Sequence, residues 1–158
     1  MILIEYAHPP VRAQICESIL RALPDWFAIE SALLQYVREA VELPMLVAVD
    51  AAAPVGFITL HQHGSNAWEI HVIAVRPDHH RRGLGRRLLE EGEQWLRTHD
   101  AQFLTVKTLS ASAEYEPYDR TRAFYLAMGF QPLMELPTLW SAEDPCLIMI
   151  KSLASSRS

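Results

Sequence analysis

Val75-Arg76-Pro77-Asp78-His79-His80-Arg81-Arg82-Gly83-Leu84-Gly85-Arg86-Arg87-Leu88-Leu89 joins an apolar run to an amphipathic one across a basic turn. The run before it, Trp68 to Val75, has the β-branched and aromatic content of a strand. The pattern after it predicts a helix over Leu84–His99, with Leu84, Leu88, Trp95 and Leu96 on one stripe and Glu90, Glu91 and Glu93 off it. A Gly-x-Gly between strand and helix lets the backbone turn sharply and leaves amide N–H groups unpaired at the positive end of the helix. Five arginines (Arg76, Arg81, Arg82, Arg86, Arg87) stand around that point in a chain of net charge −5. Amides, dipole and guanidinium groups together make a receptacle for a phosphate-bearing ligand. A glycine pair alone also serves any solvated basic turn, so the strand and helix on either side carry the reading.

Outward from this segment, 158 residues suffice for one domain with a proper core, expected over 1–153 with 154–158 as a disordered tail. Half the residues are hydrophobic and about a fifth charged, as in soluble globular proteins. No apolar run approaches twenty residues, and Met1–Tyr6 lacks the basic and apolar regions of a signal peptide. Cys16 and Cys146 are far apart with no metal-type spacing and are expected as reduced core thiols. A cytoplasmic protein with no membrane partner follows. The acidic balance also argues against nucleic acid and favours a cationic second ligand.

The periodicity predicts the order β-α-α-β-β-β-α-β-α-β-β, a mixed α/β sheet with about four flanking helices. Ile2–Tyr6 opens as a strand. Val11, Ile15, Ile19 and Leu23 mark a helix ended by Pro24; Ile29, Leu33, Tyr36, Val37, Ala40 and Val41 mark another, with Asp25 as a cap and Pro44 as a stop. Strands follow at 46–50 and 55–63, joined by Ala51-Ala52-Ala53-Pro54. A four-residue turn, Gly64-Ser65-Asn66-Ala67, leads into 68–75. Phe103–Thr108, a helix over Tyr118–Met128 closed by Gly129, and strands at 131–136 and 146–153 complete the list.

The turn motif, His80-Arg81-Arg82-Gly83-Leu84-Gly85, resembles the coenzyme A pyrophosphate loop of the GNAT superfamily of acyl-CoA-dependent N-acetyltransferases, Gln/Arg-x-x-Gly-x-Gly/Ala. Histidine stands here where glutamine or arginine is usual. Downstream, Ala123-Phe124-Tyr125-Leu126-Ala127-Met128-Gly129-Phe130 is similar to the Phe-Tyr-x-x-x-Gly-Phe helix end of the same family. The Asn and Ala that often precede it are replaced by Tyr118 and Thr121. The resemblance covers about residues 45–135. It implies a mostly antiparallel GNAT-like sheet and acetyl-CoA as co-substrate. The pyrophosphate would lie on Arg81, Arg82, Gly83, Leu84, Gly85 and Arg86, and the pantetheine arm along Ile73, Ala74 and Val75, whose N–H groups would meet the oxyanion.

Acyl transfer to an amine needs a held thioester, a neutral nucleophile and an acid for the thiolate. Presenting an alkylammonium of pKa near 10 as free amine at pH 7 costs about 4 kcal/mol, so a base is wanted. Glu69, fourteen residues before Gly83, stands where some family members carry that base. On an apolar strand its pKa should be raised, though a strand-end carboxylate facing water fits the residues equally. Tyr125 is the candidate acid, in a position often beside the thioester sulfur in this family, with packing as its plainer role. His71 shares Glu69's face and can shuttle a proton, bind substrate or simply be hydrogen-bonded. With a four-residue turn, Gln62 pairs with Glu69 and Leu60 with His71. His61 and His63 then point to the other side, and no zinc site is expected. Glu114, Glu116 and Tyr118 precede the Tyr125 helix and can hold a cationic acceptor, with Trp26, Phe27 and Trp140 as walls.

The sequence therefore predicts an acetyl-CoA-dependent N-acetyltransferase acting by direct attack in a ternary complex, on a small-molecule or peptide amine, as monomer or homodimer. Neither cysteine lies near the expected chemistry, so no acyl-cysteine step is invoked. A non-catalytic acyl-CoA sensor with the same fold is the alternative. A tRNA-directed acetylase is disfavoured by the acidic balance.

Overall fold

Pro9 and Pro10 fix the first turn of a helix, which needs no N–H donors there, and the chain reads on from it as the periodicities require. The computed structural model describes residues 1–153; the expected tail lies outside the described residues. Its elements are β1 (Ile2–Ala7), α1 (Pro9–Leu20), α2 (Glu30–Ala40), β2 (Met45–Asp50), β3 (Ala53–Gln62), β4 (Ala67–Val75), α3 (Leu84–Arg97), β5 (Phe103–Leu109), α4 (Glu116–Ala127), β6 (Gln131–Leu136) and β7 (Cys146–Ser152). The expected order holds throughout. The strands form one sheet in the order β1-β2-β3-β4-β5-β7-β6, with β4 and β5 parallel and β1–β2, β2–β3, β5–β7 and β6–β7 antiparallel. This is the open, mostly antiparallel mixed α/β sheet that the sequence predicts.

The chain divides into two units. The first comprises Met1–His61 and His71–Thr98. Its core joins Ile15, Cys16, Ile19 and Leu20 of α1, Leu33 of α2, and Met45, Val47, Phe57 and Val72 of the sheet. Arg12 is buried there with no carboxylate paired to it among the described residues; its guanidinium donates to Ala7 O, Val41 O and the Tyr6 hydroxyl, which satisfies the charge with oriented dipoles. Gly56 lets α3 close on the sheet: a Cβ there would meet Ala74 O and Leu88 Cδ1, both at 3.1 Å. The second unit comprises Gln62–Ile70 and the chain from His99 on. Here Leu104, Val106, Met128, Phe130, Cys146 and Met149 are buried, and Arg122 of α4 donates to Leu109 O at the end of β5.

Several boundaries differ from expectation. Helix α1 stops at Leu20, short of Pro24, and Ile29 rather than Asp25 caps α2. Helix α4 begins at Glu116, because Pro117 suits a first turn and opens the helix earlier than Tyr118. Strand β3 takes in Ala53 and Pro54, so the turn is only Ala51-Ala52, with φ of 50° and 69°. Glu93 is buried on α3, 3.6 Å from Arg97, rather than off the apolar face; Trp95 is half-buried.

The turn into β4 carries the correction with most consequence. His63 N and Gly64 N both donate to Ala67 O, at 2.9 and 3.2 Å. The loop proper is therefore 64–66, one residue shorter than expected. A slip of one residue exchanges the two faces of a strand, so His61 and His63 lie on the side expected for Glu69 and His71.

Candidate active site

In the first unit, β4 delivers the chain through a 3₁₀ turn, Pro77–His79, to Arg81 (φ 65°) and Gly83 (φ 73°), the N-cap of α3. These two left-handed residues turn the backbone sharply into the helix. Among the described residues, the N–H groups of 81–86 donate to no backbone carbonyl; the first bond of α3 is Arg87 N to Gly83 O, 3.1 Å. A Cβ on Gly83 would meet nothing within 4 Å, so the space before the loop is open. Arg81, Arg82 and Arg86 are exposed beside it, whereas Arg87 turns away to donate to Ile2 O at 3.0 Å. Leu84 is buried and can offer only its amide. His80 donates from Nε2 to Val75 O, 2.7 Å, so its ring braces the strand end. Ile73, Ala74 and Val75 continue β4 beyond its ladder with β5, which ends at Ile70. The set fits a diphosphate: unpaired donors, open space, fixed positive charge.

In the second unit, Glu69 lies on β4 with its side chain only 7% exposed. Lys107 Nζ, from β5, donates to both carboxylate oxygens at 2.9 and 2.8 Å, and His63 Nε2 to Oε1 at 2.6 Å. Burial is the largest single influence and pushes the carboxyl upward. The Lys107 and His63 hydrogen bonds and charges outweigh it, and the net shift is downward. The raised value expected from an apolar strand is thus corrected: the sequence did not show that Lys107 stands alongside. Lys107 is the one charged residue of β5, and that oddity was the signal available.

His71, in the first unit, donates from Nε2 to Glu39 Oε1 of α2, 2.9 Å. Its ring lies 5.5 Å from that of Tyr36 and 6.1 Å from that of His61. Glu39 was not singled out in the sequence, although it follows Tyr36 by three residues and so shares its helix face. The shortened turn puts His61 beside His71 and His63 beside Glu69, which overturns the separation of the histidines. Among the described residues, no group of three or more His, Cys, Asp or Glu side chains is arranged around a metal position.

Tyr125 of α4 is buried, its ring 5.4 Å from Phe124 and 5.5 Å from Phe130. Burial, with a smaller effect from Tyr118, pushes its phenol well above the ordinary value, so it keeps its proton. Its position follows from the end of α4, where Gly129 (φ 97°) reverses the chain and Phe130 N donates to Tyr125 O, 2.9 Å. Glu114 and Glu116 are exposed at the start of α4 and Tyr118 is half-buried, with Tyr115 and Tyr118 rings 6.1 Å apart. Trp26 and Phe27 pack on the core of the first unit; Trp140, in the second, is 45% exposed. Cys16 and Cys146 are unpaired and buried, and burial pushes the Cys16 thiol up to about 12, away from any nucleophilic role.

Residues 12–130 match the family described as Acetyltransferase (GNAT) family. Among solved structures, a protein of the GNAT family from Desulfovibrio desulfuricans superposes with a TM-score of 0.84 at 20% identity, covering 98% of this chain and 100% of that one. An aminoglycoside 6'-N-acetyltransferase complexed with coenzyme A gives 0.77 at 22%, covering 99% of each chain. The ribosomal-protein-S18-alanine N-acetyltransferase from Escherichia coli gives 0.77 at 18%, covering 100% of this chain and 99% of that one. At these identities the likeness is one of fold. No curated protein sequence matches the chain.

Proposed function

Since the chain belongs to the GNAT acetyltransferase family, we propose that it is an N-acetyltransferase, moving the acetyl group of acetyl-CoA to a primary amine by direct attack in a ternary complex. One observation carries the reading: the amides of 81–86 are unspent and open onto space beside Arg81, Arg82 and Arg86. Those amides, with Gly83, Leu84 and Gly85 giving close backbone approach, hold the diphosphate. Ile73, Ala74 and Val75 line the pantetheine arm and offer N–H groups to the oxyanion.

Glu69 is the proposed base. Its depressed pKa keeps it ionised, so it attracts an ammonium acceptor and takes its proton, while His63, 2.6 Å away, donates to the same carboxylate. His71, oriented by Glu39, is the second candidate for the same proton. Tyr125, held protonated by burial, is the proposed acid: its hydroxyl passes a proton to the departing thiolate and is reprotonated by the proton that the attacking amine releases. The transfer consumes the amine and thioester and yields amide and free coenzyme A. Glu114, Glu116 and Tyr118 form the proposed acceptor-side loop of a single catalytic domain over 1–153. The aminoglycoside and ribosomal-protein-alanine N-acetyltransferases among the similar structures support an amine acceptor, small or peptidic. Two buried unpaired thiols support a cytoplasmic location.

The test is thiol release from acetyl-CoA across a panel of small amines and peptides, beside calorimetric binding of acetyl-CoA. Turnover with any amine, lost in Gly83→Glu together with binding, is the expected result. Normal acetyl-CoA affinity in Gly83→Glu removes the phosphate loop. Binding without transfer to any amine replaces the enzyme with a non-catalytic acyl-CoA module.

A further inference from the structure

His79 is the one residue of the phosphate-loop approach whose two ring nitrogens are both engaged by carboxylates. Nε2 donates to Asp50 Oδ2 at 3.0 Å and Nδ1 to Asp78 Oδ1 at 3.0 Å, with the histidine side chain 11% exposed. A neutral imidazole has one N–H and a lone pair on its other nitrogen. An ionised carboxylate only accepts. Both bonds therefore exist together only in the imidazolium, and loss of its proton sets a lone pair against a carboxylate. Asp50 ends β2, while His79 ends the 3₁₀ turn two residues before Arg81, where the backbone turns left-handed.

We propose that His79 is a positioning residue for coenzyme A binding: as imidazolium it latches the loop 81–86 to the end of β2, and deprotonation releases the loop and weakens the cofactor's hold. This rests on the reading of that loop as the diphosphate site. His79 touches no reacting atom and acts through the set of the backbone that follows it. Asp50 comes from β2 and also feels the Met1 ammonium and Arg82; Asp78 comes from the same turn and feels Arg76; Arg82 opposes the imidazolium from the loop itself. His80, next along, is committed to Val75 O. The two carboxylates prevail over Arg82 and burial, raising the histidine above its ordinary value and depressing both aspartates. The latch is therefore closed while His79 is protonated and opens as pH rises through the raised value.

The experiment measures acetyl-CoA affinity by calorimetry, without acceptor, from about pH 6 to 9, a range in which the thiol is blocked by its acetyl group. The same variants' His79 and loop amide signals are followed by NMR in ligand-free protein. If the two equilibria are coupled by one pH unit of His79 titration, wild-type affinity falls about tenfold over that range. His79→Gln binds about that much more weakly at pH 6 and shows no such slope, whereas His80→Gln keeps it. Asp50→Asn lowers the His79 titration and moves the slope to lower pH; it stands in if His79→Gln does not fold. Equal slopes in wild type and His79→Gln overturn the latch and leave the diphosphate reading intact. Absence of binding at every pH removes the diphosphate reading. The NMR arm then still decides the latch, since amides of 81–86 that ignore His79's titration overturn it.

Discussion

Glu69 shows how a neighbour reverses what burial alone dictates. A carboxylate 7% exposed should resist ionisation, yet Lys107 and His63 supply enough charge and hydrogen bonding to hold it ionised. Because its folded value is depressed, it contributes stability above its unfolded pKa, and that contribution is lost as pH falls through the folded value. Lys107→Met leaves the buried charge with His63 alone as its partner. It should cost about 2 kcal/mol at pH 7, discounted from the fully buried case because Lys107 is 34% exposed. The cost shrinks at acid pH, where Glu69 is neutral in both proteins; urea melts at the two pH values read this directly. In turnover, Glu69→Gln should lower kcat/KM by about a hundredfold near pH 6.5, and less as pH approaches the amine's own pKa, where the acceptor needs no base. A loss constant with pH would assign Glu69 to acceptor binding only. Tyr125→Phe belongs to the other half of the reaction. It should lower kcat about ten- to a hundredfold while the KM for acetyl-CoA stays within a factor of about two, since the phenol is neutral throughout and makes no charged contact. An unchanged kcat returns Tyr125 to packing with Phe124 and Phe130.

At the scale of elements, the order of strands and helices was legible because the apolar periods are clean: alternation or continuous runs in the strands, a three-to-four spacing in α1, α2 and α3. The turn between β4 and α3 was legible for a local reason, since strand, glycines and helix are contiguous. What the sequence hid depended on partners distant along the chain. The turn before β4 is one residue shorter than its composition suggested, and that single count decides which face His61 and His63 occupy. Glu39 reaches His71 across 32 residues and Lys107 reaches Glu69 across 38, separations that no period reports. The β2–β3 turn offers a test of local chemistry. Ala51 and Ala52 both adopt positive φ, a two-residue turn that favours Asn-Gly, and each alanine there carries roughly 1–2 kcal/mol of strain. Replacing the pair with Asn-Gly should raise stability by about 1–2 kcal/mol, read as a shift in urea midpoint at constant slope. No gain would mean that the bulge between Ala48 and Val49 already relaxes the turn.

For the whole molecule, sign and distance of charge lead to opposite expectations for an anionic cofactor. The chain carries −5, which repels a polyphosphate at long range, while Arg76, Arg81, Arg82 and Arg86 attract it near the loop. The Debye length separates the two: at about 10 mM salt it is ~30 Å and the whole charge is felt, whereas at about 0.15 M it is ~8 Å and only near groups count. If the global field governed association, added salt would lower the KM for acetyl-CoA. The arrangement at 81–86 argues the reverse. In the proposed binding mode the guanidinium groups beside the loop outweigh charges spread over the rest of the surface, because the interaction falls with distance even before screening. The KM for acetyl-CoA should therefore rise about threefold to tenfold between roughly 0.05 and 0.5 M salt. Arg82→Gln and Arg86→Gln should each flatten that dependence while leaving kcat within a factor of about two, since neither side chain approaches the thioester in the proposed binding mode. A KM that falls with salt in the wild type would show the net charge in control and would take the arginines out of the diphosphate site.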